Sequence, residues 1–160
     1  DIYKMTKNNK FIYLLLFLFL GFFMAWWGGY VTSYFKEPWY SGITKPSFNP
    51  PDWVFAPIWI SLYLMIAIAA WLIWLSPKKT EKILNIFYIH LLVNASWSIA
   101  FFAMHQILAS LVIIGIIILF VIWLIKLFYP INKISALLMF PYLAWLCFAF
   151  ILNFSIYNLN

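Results

Sequence analysis

His90, Asn94 and Ser98 stand at i, i+4 and i+8 in an otherwise apolar run, so they share one stripe of a helix. Polar groups in so apolar a segment are costly unless they face a partner helix, a ligand or water. Two chemistries fit that spacing equally: hydrogen-bonded glue between helices, or the polar wall of a pocket. His90 alone reads as a hydrogen-bonded structural group, since no second His, Asp or Glu falls inside an apolar run to complete a metal site. Trp59, Trp97 and Trp145 also fall deep in apolar runs. Each alone is ordinary apolar bulk, but with the Asn94 stripe they could line an aromatic cavity suited to a flat apolar ligand. Tyr142, Trp145, Ala149 and Asn153 follow at i, i+3, i+7 and i+11, again one face. The small Ala149 lets a ligand or a neighbouring helix come close.

Conventional catalysis finds no residues here. The four acidic residues, Asp1, Glu37, Asp52 and Glu81, fall in loops or tails. There are no paired carboxylates, no Ser/His/Asp or Cys/His set, and no glycine loop for phosphate. An acidic chain inside the apolar runs, needed for proton-coupled transport, is missing too. The lone Cys147 excludes a disulfide within the chain and is expected to pack as a small hydrophobe.

The elements that must position these residues are membrane spans. The chain has 160 residues, 67% apolar, 23% aromatic and 9% charged. Soluble domains carry about 25% charged residues, and a soluble fold of this size could not hide so much apolar surface. The expected class is an all-α integral membrane protein, a bundle of five transmembrane helices with a proline-rich loop between helices 1 and 2. Residues 1–160 form one such domain, with spans at about 11–35, 53–75, 83–103, 107–127 and 135–157. Met5 is a candidate start. The first span is too long for a signal peptide's apolar region. Asp52 is a candidate N-cap for the second span and Thr80 for the third; Pro57 falls near the start of the second, and Pro141 should bend the fifth. Trp26, Trp27, Trp39, Trp53 and Trp74 fall near span ends, where amphipathic rings meet headgroups.

The stretch from Trp39 to Trp59 is the longest break between apolar runs. Its Lys45-Pro46 and Pro50-Pro51 steps fix φ and remove backbone donors, predicting a stiff non-helical loop, the lid of the cavity. Net charge is +6, with ten lysines and no arginine. Nucleic-acid binding would want a basic stripe with arginine forks, so it is set aside. Lys4, Lys7, Lys10, Lys78, Lys79, Lys82, Lys126 and Lys133 fall on one side of the spans, Lys36 and Lys45 on the other. The expected topology therefore has the N-terminus inside, with the first loop and C-terminus outside. Absent arginine and abundant Lys, Ile and Asn fit an AT-rich bacterial source, hence a bacterial cell membrane.

Three separated motifs then resemble the tryptophan-rich sensory protein / translocator protein family, also called the peripheral-type benzodiazepine receptor family. They are Trp39-Tyr40, Lys45-Pro46, Pro50-Pro51 and Trp59; then Asn94, Trp97-Ser98 and Phe101-Phe102; then Pro141-Tyr142-Leu143, Trp145, Phe148-Ala149 and Leu152-Asn153. The resemblance runs from Trp39 to the end of the chain. It implies a five-helix bundle, usually a homodimer in membrane lipid, whose first loop closes over a pocket for porphyrins such as protoporphyrin IX and haem. It also implies binding of synthetic benzodiazepine-type ligands and, in animals, cholesterol. Carried over by position, Trp59, Tyr63, Asn94, Trp97, Trp145 and Ala149 would line the pocket. Trp39, Tyr40, Pro46 and Pro51 would belong to the lid.

The expected function is a receptor or translocator for tetrapyrroles and similar flat hydrophobic molecules, in their sensing, transport or regulation. No cofactor is required, no metal is expected, and porphyrin or haem is the ligand. One alternative, also implied by resemblance, is a light-dependent enzyme that degrades protoporphyrin IX, with Trp59 and Trp145 as its catalytic pair. An indole beside an excited porphyrin can donate an electron without acid–base machinery. The other alternative is an interaction protein that modulates a partner membrane complex. Two departures stand out. Leu152 and Tyr157 are followed by no basic residue, which speaks against the animal cholesterol pattern. The acidic residue often found in the family near Ile113 is replaced by an aliphatic stretch, so any ligand contact made through it is lost.

Overall fold

The computed structural model describes residues 7–160; Lys4 and Met5 lie outside the described residues. Its elements are α1 (Lys7–Phe35), α2 (Trp39–Gly42), α3 (Asp52–Trp74), α4 (Glu81–Ser98) continued by a π-helical turn (Ile99–Ala103), α5 (Ile107–Phe128), α6 (Lys133–Leu138) and α7 (Phe140–Leu159). Among the described residues, five helical stretches are long and apolar enough to cross a bilayer: Asn9–Phe35, Asp52–Trp74, Glu81–Ala103, Ile107–Phe128 and Lys133–Leu159. Only helices and closed barrels satisfy every backbone group in hydrocarbon, and no strand occurs among the described residues. The protein is an all-helical integral membrane bundle.

The end of the bundle away from the long loop is close-packed. Gly21 of α1 lies against α3, where an added Cβ would sit 2.8 Å from the Tyr63 carbonyl oxygen. Tyr13 stacks on Trp74 at 3.9 Å, and Trp71 Nε1 donates to the Lys10 carbonyl (3.1 Å). Ala69, Ala70 and Ala136 are fully buried, and these small residues bring α6 close enough for Ser135 Oγ to donate to the Ala69 carbonyl (2.5 Å). Lys78 Nζ donates to the Pro130 carbonyl (3.0 Å), tying two lysine-bearing joints together at this end.

Several local expectations are corrected. Asp52 is the first residue of α3, not its cap; Pro51 holds the N-cap position, and the Asp52 carboxylate is engaged by Lys36 instead. Thr80 does hold the N-cap position of α4, but its side chain makes no capping bond. At Met139 the fifth span has a one-residue irregularity between α6 and α7, its backbone still near helical (φ −81°, ψ −18°), where Pro141 has no N–H to offer the preceding turn. The Trp39–Trp59 stretch is not all loop: α2 makes one turn at its start, and α3 begins at Asp52, leaving residues 43–51 non-helical. Cys147 is exposed on α7 rather than packed. Trp27 is no interfacial anchor, since its Nε1 donates across the bundle to the Ala95 carbonyl of α4 (3.1 Å).

Candidate functional site

At the loop end the helices enclose a cavity of about 860 Å3. Its walls come from α1, α3, α4 with its π turn, and α7, and Ile114 and Ile117 of α5 complete the lining. Helix α5 thus still contributes, through aliphatic side chains in place of an acid. Trp59 stacks on Tyr63 (5.3 Å) and meets Trp145 edge-on at 6.4 Å. Trp97 stacks on Phe101 (5.1 Å) and donates its Nε1 to Asn153 Oδ1 (3.1 Å), which fixes the plane of the indole. Ala149 leaves a recess between these rings. The π turn packs Phe101 and Phe102 beneath Tyr40; such turns widen a helix and often sit at functional sites.

The floor is polar and fully directed. His90 Nδ1 faces the Phe87 carbonyl (3.1 Å), which can only accept, so in the neutral imidazole Nδ1 carries the proton. Nε2 then accepts from the Tyr142 hydroxyl (2.8 Å), and that oxygen accepts from Asn94 Nδ2 (2.5 Å). Asn94 Oδ1 in turn accepts from the Tyr63 hydroxyl (2.7 Å). The imidazole proton and both hydroxyl protons are committed, while Asn94 Nδ2 keeps a second proton. Tyr63 consequently turns only oxygen lone pairs toward the cavity. The stripe of α4 is both things its spacing allowed: His90 and Tyr142 act as buried glue, while Asn94 and Ser98 line the cavity.

The mouth is where charge enters. Lys36 at the end of α1 donates to Asp52 at the start of α3, and its ammonium lies over the Tyr40 ring at 5.2 Å. The bond to Asp52 holds the Lys36 ammonium above the ordinary lysine range. Burial pushes the Tyr40 hydroxyl up likewise. The loop itself is pinned by Asn160, whose amide accepts from the Thr44 N–H (2.9 Å) and donates to the Thr44 carbonyl (2.8 Å).

Tyr40, Trp59, Tyr63, Asn94, Trp97, Trp145 and Ala149 all border the cavity, whereas Trp39, Pro46 and Pro51 do not. Trp39 stacks on His105 at 4.4 Å, joining α2 to the α4–α5 joint. Pro46 is half-buried in the loop, and Pro51 is exposed at the start of α3. Sequence reasoning missed the α1 wall, including Trp27, Gly28 and Gly29, and also Phe55 and the Lys36–Asp52 pair. The Trp26-Trp27-Gly28-Gly29 run was a visible signal: two bulky and two side-chain-free residues together late in a span.

A five-span bundle with one aromatic cavity at its loop end defines a class of small membrane-embedded helical proteins. A profile of the TspO/MBR family matches residues 14–159. The chain belongs to that family. It is 40% identical over 134 residues to the tryptophan-rich protein TspO of Archaeoglobus fulgidus, covering 83% of this chain and 87% of the relative. The tryptophan-rich protein TspO of Chlorobaculum tepidum is 36% identical over 156 residues, with 96% and 99% covered. The translocator protein of Sus scrofa is 35% identical over 131 residues, with 76% and 75% covered.

Proposed function

We propose that the protein is a membrane receptor of translocator type whose loop-end cavity takes porphyrins, protoporphyrin IX and haem among them, and similar flat apolar ligands. The observation that carries this reading is the cavity: about 860 Å3, walled by Trp59, Trp97 and Trp145 and floored by Tyr63 and Asn94. Its size lies within the roughly 300–1,000 Å3 of small-molecule sites, which are mostly apolar with a few convergent polar groups. A further fit comes from Trp145 Nε1, which is buried without a hydrogen-bond partner, so a ligand oxygen reaching it would satisfy an orphaned donor. In this reading Lys36, Tyr40 and the pinned loop cover the mouth, and Trp39, Pro46 and Pro51 shape the lid from behind. The lysine distribution supports a loop end that faces away from the cytoplasm, in a bacterial cell membrane, with the homodimer that the resemblance implies.

The test is a titration in detergent in the dark: protoporphyrin IX should quench tryptophan fluorescence saturably, and Trp145→Phe should weaken that binding. Linear, non-saturating quenching sinks the reading. A second reading is favoured by the edge-on contact of Trp59 with Trp145, which sets two oxidisable indoles side by side on the cavity wall. Under light, an indole would reduce the excited ring as the first step of its degradation. Loss of the porphyrin absorbance band on illumination, abolished by Trp59→Phe with Trp145→Phe, separates that reading from simple binding.

A further inference from the structure

The lid is not the only edge of the cavity. Among its lining residues, Phe22 and Trp26 of α1 and Ile60 of α3 are 53%, 58% and 41% exposed, and all three lie within spans. Exposure at that depth means exposure to lipid, so the cavity is continuous with the lipid-facing surface. The opening is framed on every side. Below, α1 touches α3 at Gly21, with no room for a Cβ against the Tyr63 carbonyl. Above, the Lys36–Asp52 ion pair rejoins the two helices. Toward α4, α1 is held by Trp27 bonding to Ala95. Between Gly21 and Lys36 the helix rises about 22 Å at about 1.5 Å per residue. Over that length α1 is tied to α4 by the Trp27–Ala95 bond, and a Cβ on Gly29 would meet nothing within 4 Å.

We propose that this gap between α1 and α3 is a lateral window through which the cavity exchanges its ligand directly with the bilayer. The inference rests on the receptor reading above and deepens it: the ligand arrives dissolved in lipid, ring-plane parallel to the helices. Charge distribution favours that occupant. The window's borders between its two ends are Phe22, Trp26, Ala56 and Ile60 with the small Gly29 and Ser33, and none is charged. The aqueous mouth, by contrast, is crossed by an ion pair and covered by a loop tied through Thr44 to Asn160. A flat apolar ring meets an ion pair on the second path and no charged side chain on the first, where its acidic substituents can trail at the headgroup level. The ion pair acts as the lintel of the window, holding the helix ends together while the helices between them stay apart.

The experiment uses the full chain in lipid vesicles preloaded with protoporphyrin IX in the dark, on a Cys147→Ser background. Gly29→Phe fills the window from a position with open space, so the fold should survive, which its melting midpoint in detergent checks. The rate of cavity filling from the bilayer should fall tenfold or more in Gly29→Phe. It should change less than twofold when the loop is locked by a short cross-linker between Thr44→Cys and Asn160→Cys. A locked loop that stops exchange, with Gly29→Phe as fast as wild type, overturns the window. If detergent titration finds no saturable porphyrin binding, the receptor reading fails separately, and phospholipid brominated in its acyl chains then decides the window alone. Gly29→Phe should reduce tryptophan quenching by that lipid, because chains no longer reach Trp59 and Trp145; equal quenching overturns it. Spontaneous Gly29→Cys disulfide dimers would put a second copy over the gap and overturn it as well.

Discussion

Helix α1 carries Gly21 and Gly29 eight residues apart, and they are glycine for opposite reasons. At Gly21 a Cβ would press 2.8 Å from the Tyr63 carbonyl; at Gly29 it would meet nothing within 4 Å. One glycine closes the bundle and the other leaves it open. The same contrast runs through the whole molecule. Away from the loop, Ala69, Ala70, Ile73, Val121 and Leu124 are wholly buried, and the void beside Gly21 measures about 10 Å3. At the loop end, large rings meet at their edges and leave a cavity between them. A membrane bundle gains little from hiding apolar side chains that lipid would cover equally well, so close packing must hold it together. The close-packed half stabilises the fold, and its stability lets the other half stay hollow.

The largest break in that contrast is Gly21→Leu. Its side chain must displace the backbone of α3 rather than a flexible neighbour, and overpacking of this kind costs about 1–3 kcal/mol. The apparent melting midpoint in detergent should fall by several degrees, whereas Gly29→Leu should leave it within a degree. Equal losses at the two glycines would erase the distinction between closed and open halves.

The second break acts on the hollow half alone. Ala149→Phe places a ring into the recess between Trp97 and Trp145 without touching the close-packed end. Porphyrin affinity should drop at least tenfold, about 1.4 kcal/mol, while the melting midpoint holds or rises because the void is filled. A lowered midpoint with unchanged affinity would mean that the recess is structural.

Much of this was legible in the sequence because membrane spans announce themselves by length and composition, and because side chains on one helix face can be counted. Asn94 and Ser98 on α4, and Trp145, Ala149 and Asn153 on α7, border the cavity from the faces that the spacing marked, whereas Trp97 was suggested by its depth and by resemblance. Contacts between distant segments left no such periodic trace. Nothing in the sequence pairs Lys36 with Asp52, Asn160 with Thr44 or Trp27 with Ala95; these depend on how far each helix leans. Trp39 shows the limit from the other side. Its place in the loop predicted a lid, but the turn of α2 rotates it onto His105, outside the lining. The irregularity in the fifth span was half visible: Pro141 marks where a helix cannot continue unchanged, but the bond from Ser135 to the Ala69 carbonyl that docks α6 on α3 left no sign.

The boundary between the two halves is the hydrogen-bonded row under the cavity, and Asn94→Leu sharpens it. The substitution leaves the Tyr63 and Tyr142 hydroxyls without their shared partner. An unpaired buried group costs about 1–3 kcal/mol in soluble proteins, but hydrogen bonds within membranes average about 0.6 kcal/mol. The stability loss should thus be near 1 kcal/mol, seen as a small drop in midpoint, with porphyrin affinity several-fold weaker. His90→Leu provides the contrast, since His90 is buried and does not border the cavity. It should lower stability similarly but weaken porphyrin less than Asn94→Leu does. Matching affinity losses would mean that the row acts as one unit.

Smallest in effect is Asn160→Ala, which tests whether the loop belongs energetically to either half. The Asn160 amide makes a two-point bond to Thr44, one accepting and one donating, and its Nδ2 also reaches the Ile156 carbonyl (2.8 Å). The two bonds to Thr44 are exposed, each worth about 0.5–1.5 kcal/mol at most, and they hold a segment that carries little of the close packing. Their loss should therefore show as local opening rather than global unfolding. Amide exchange and proteolysis around residues 43–50 should speed up several-fold, with the melting midpoint within a degree of wild type. If ligand exchange with vesicles keeps its wild-type rate while the loop loosens, the loop covers the cavity without controlling entry to it. If exchange accelerates in step with loop opening, the hollow half opens through its lid, and the gap between α1 and α3 is only a groove.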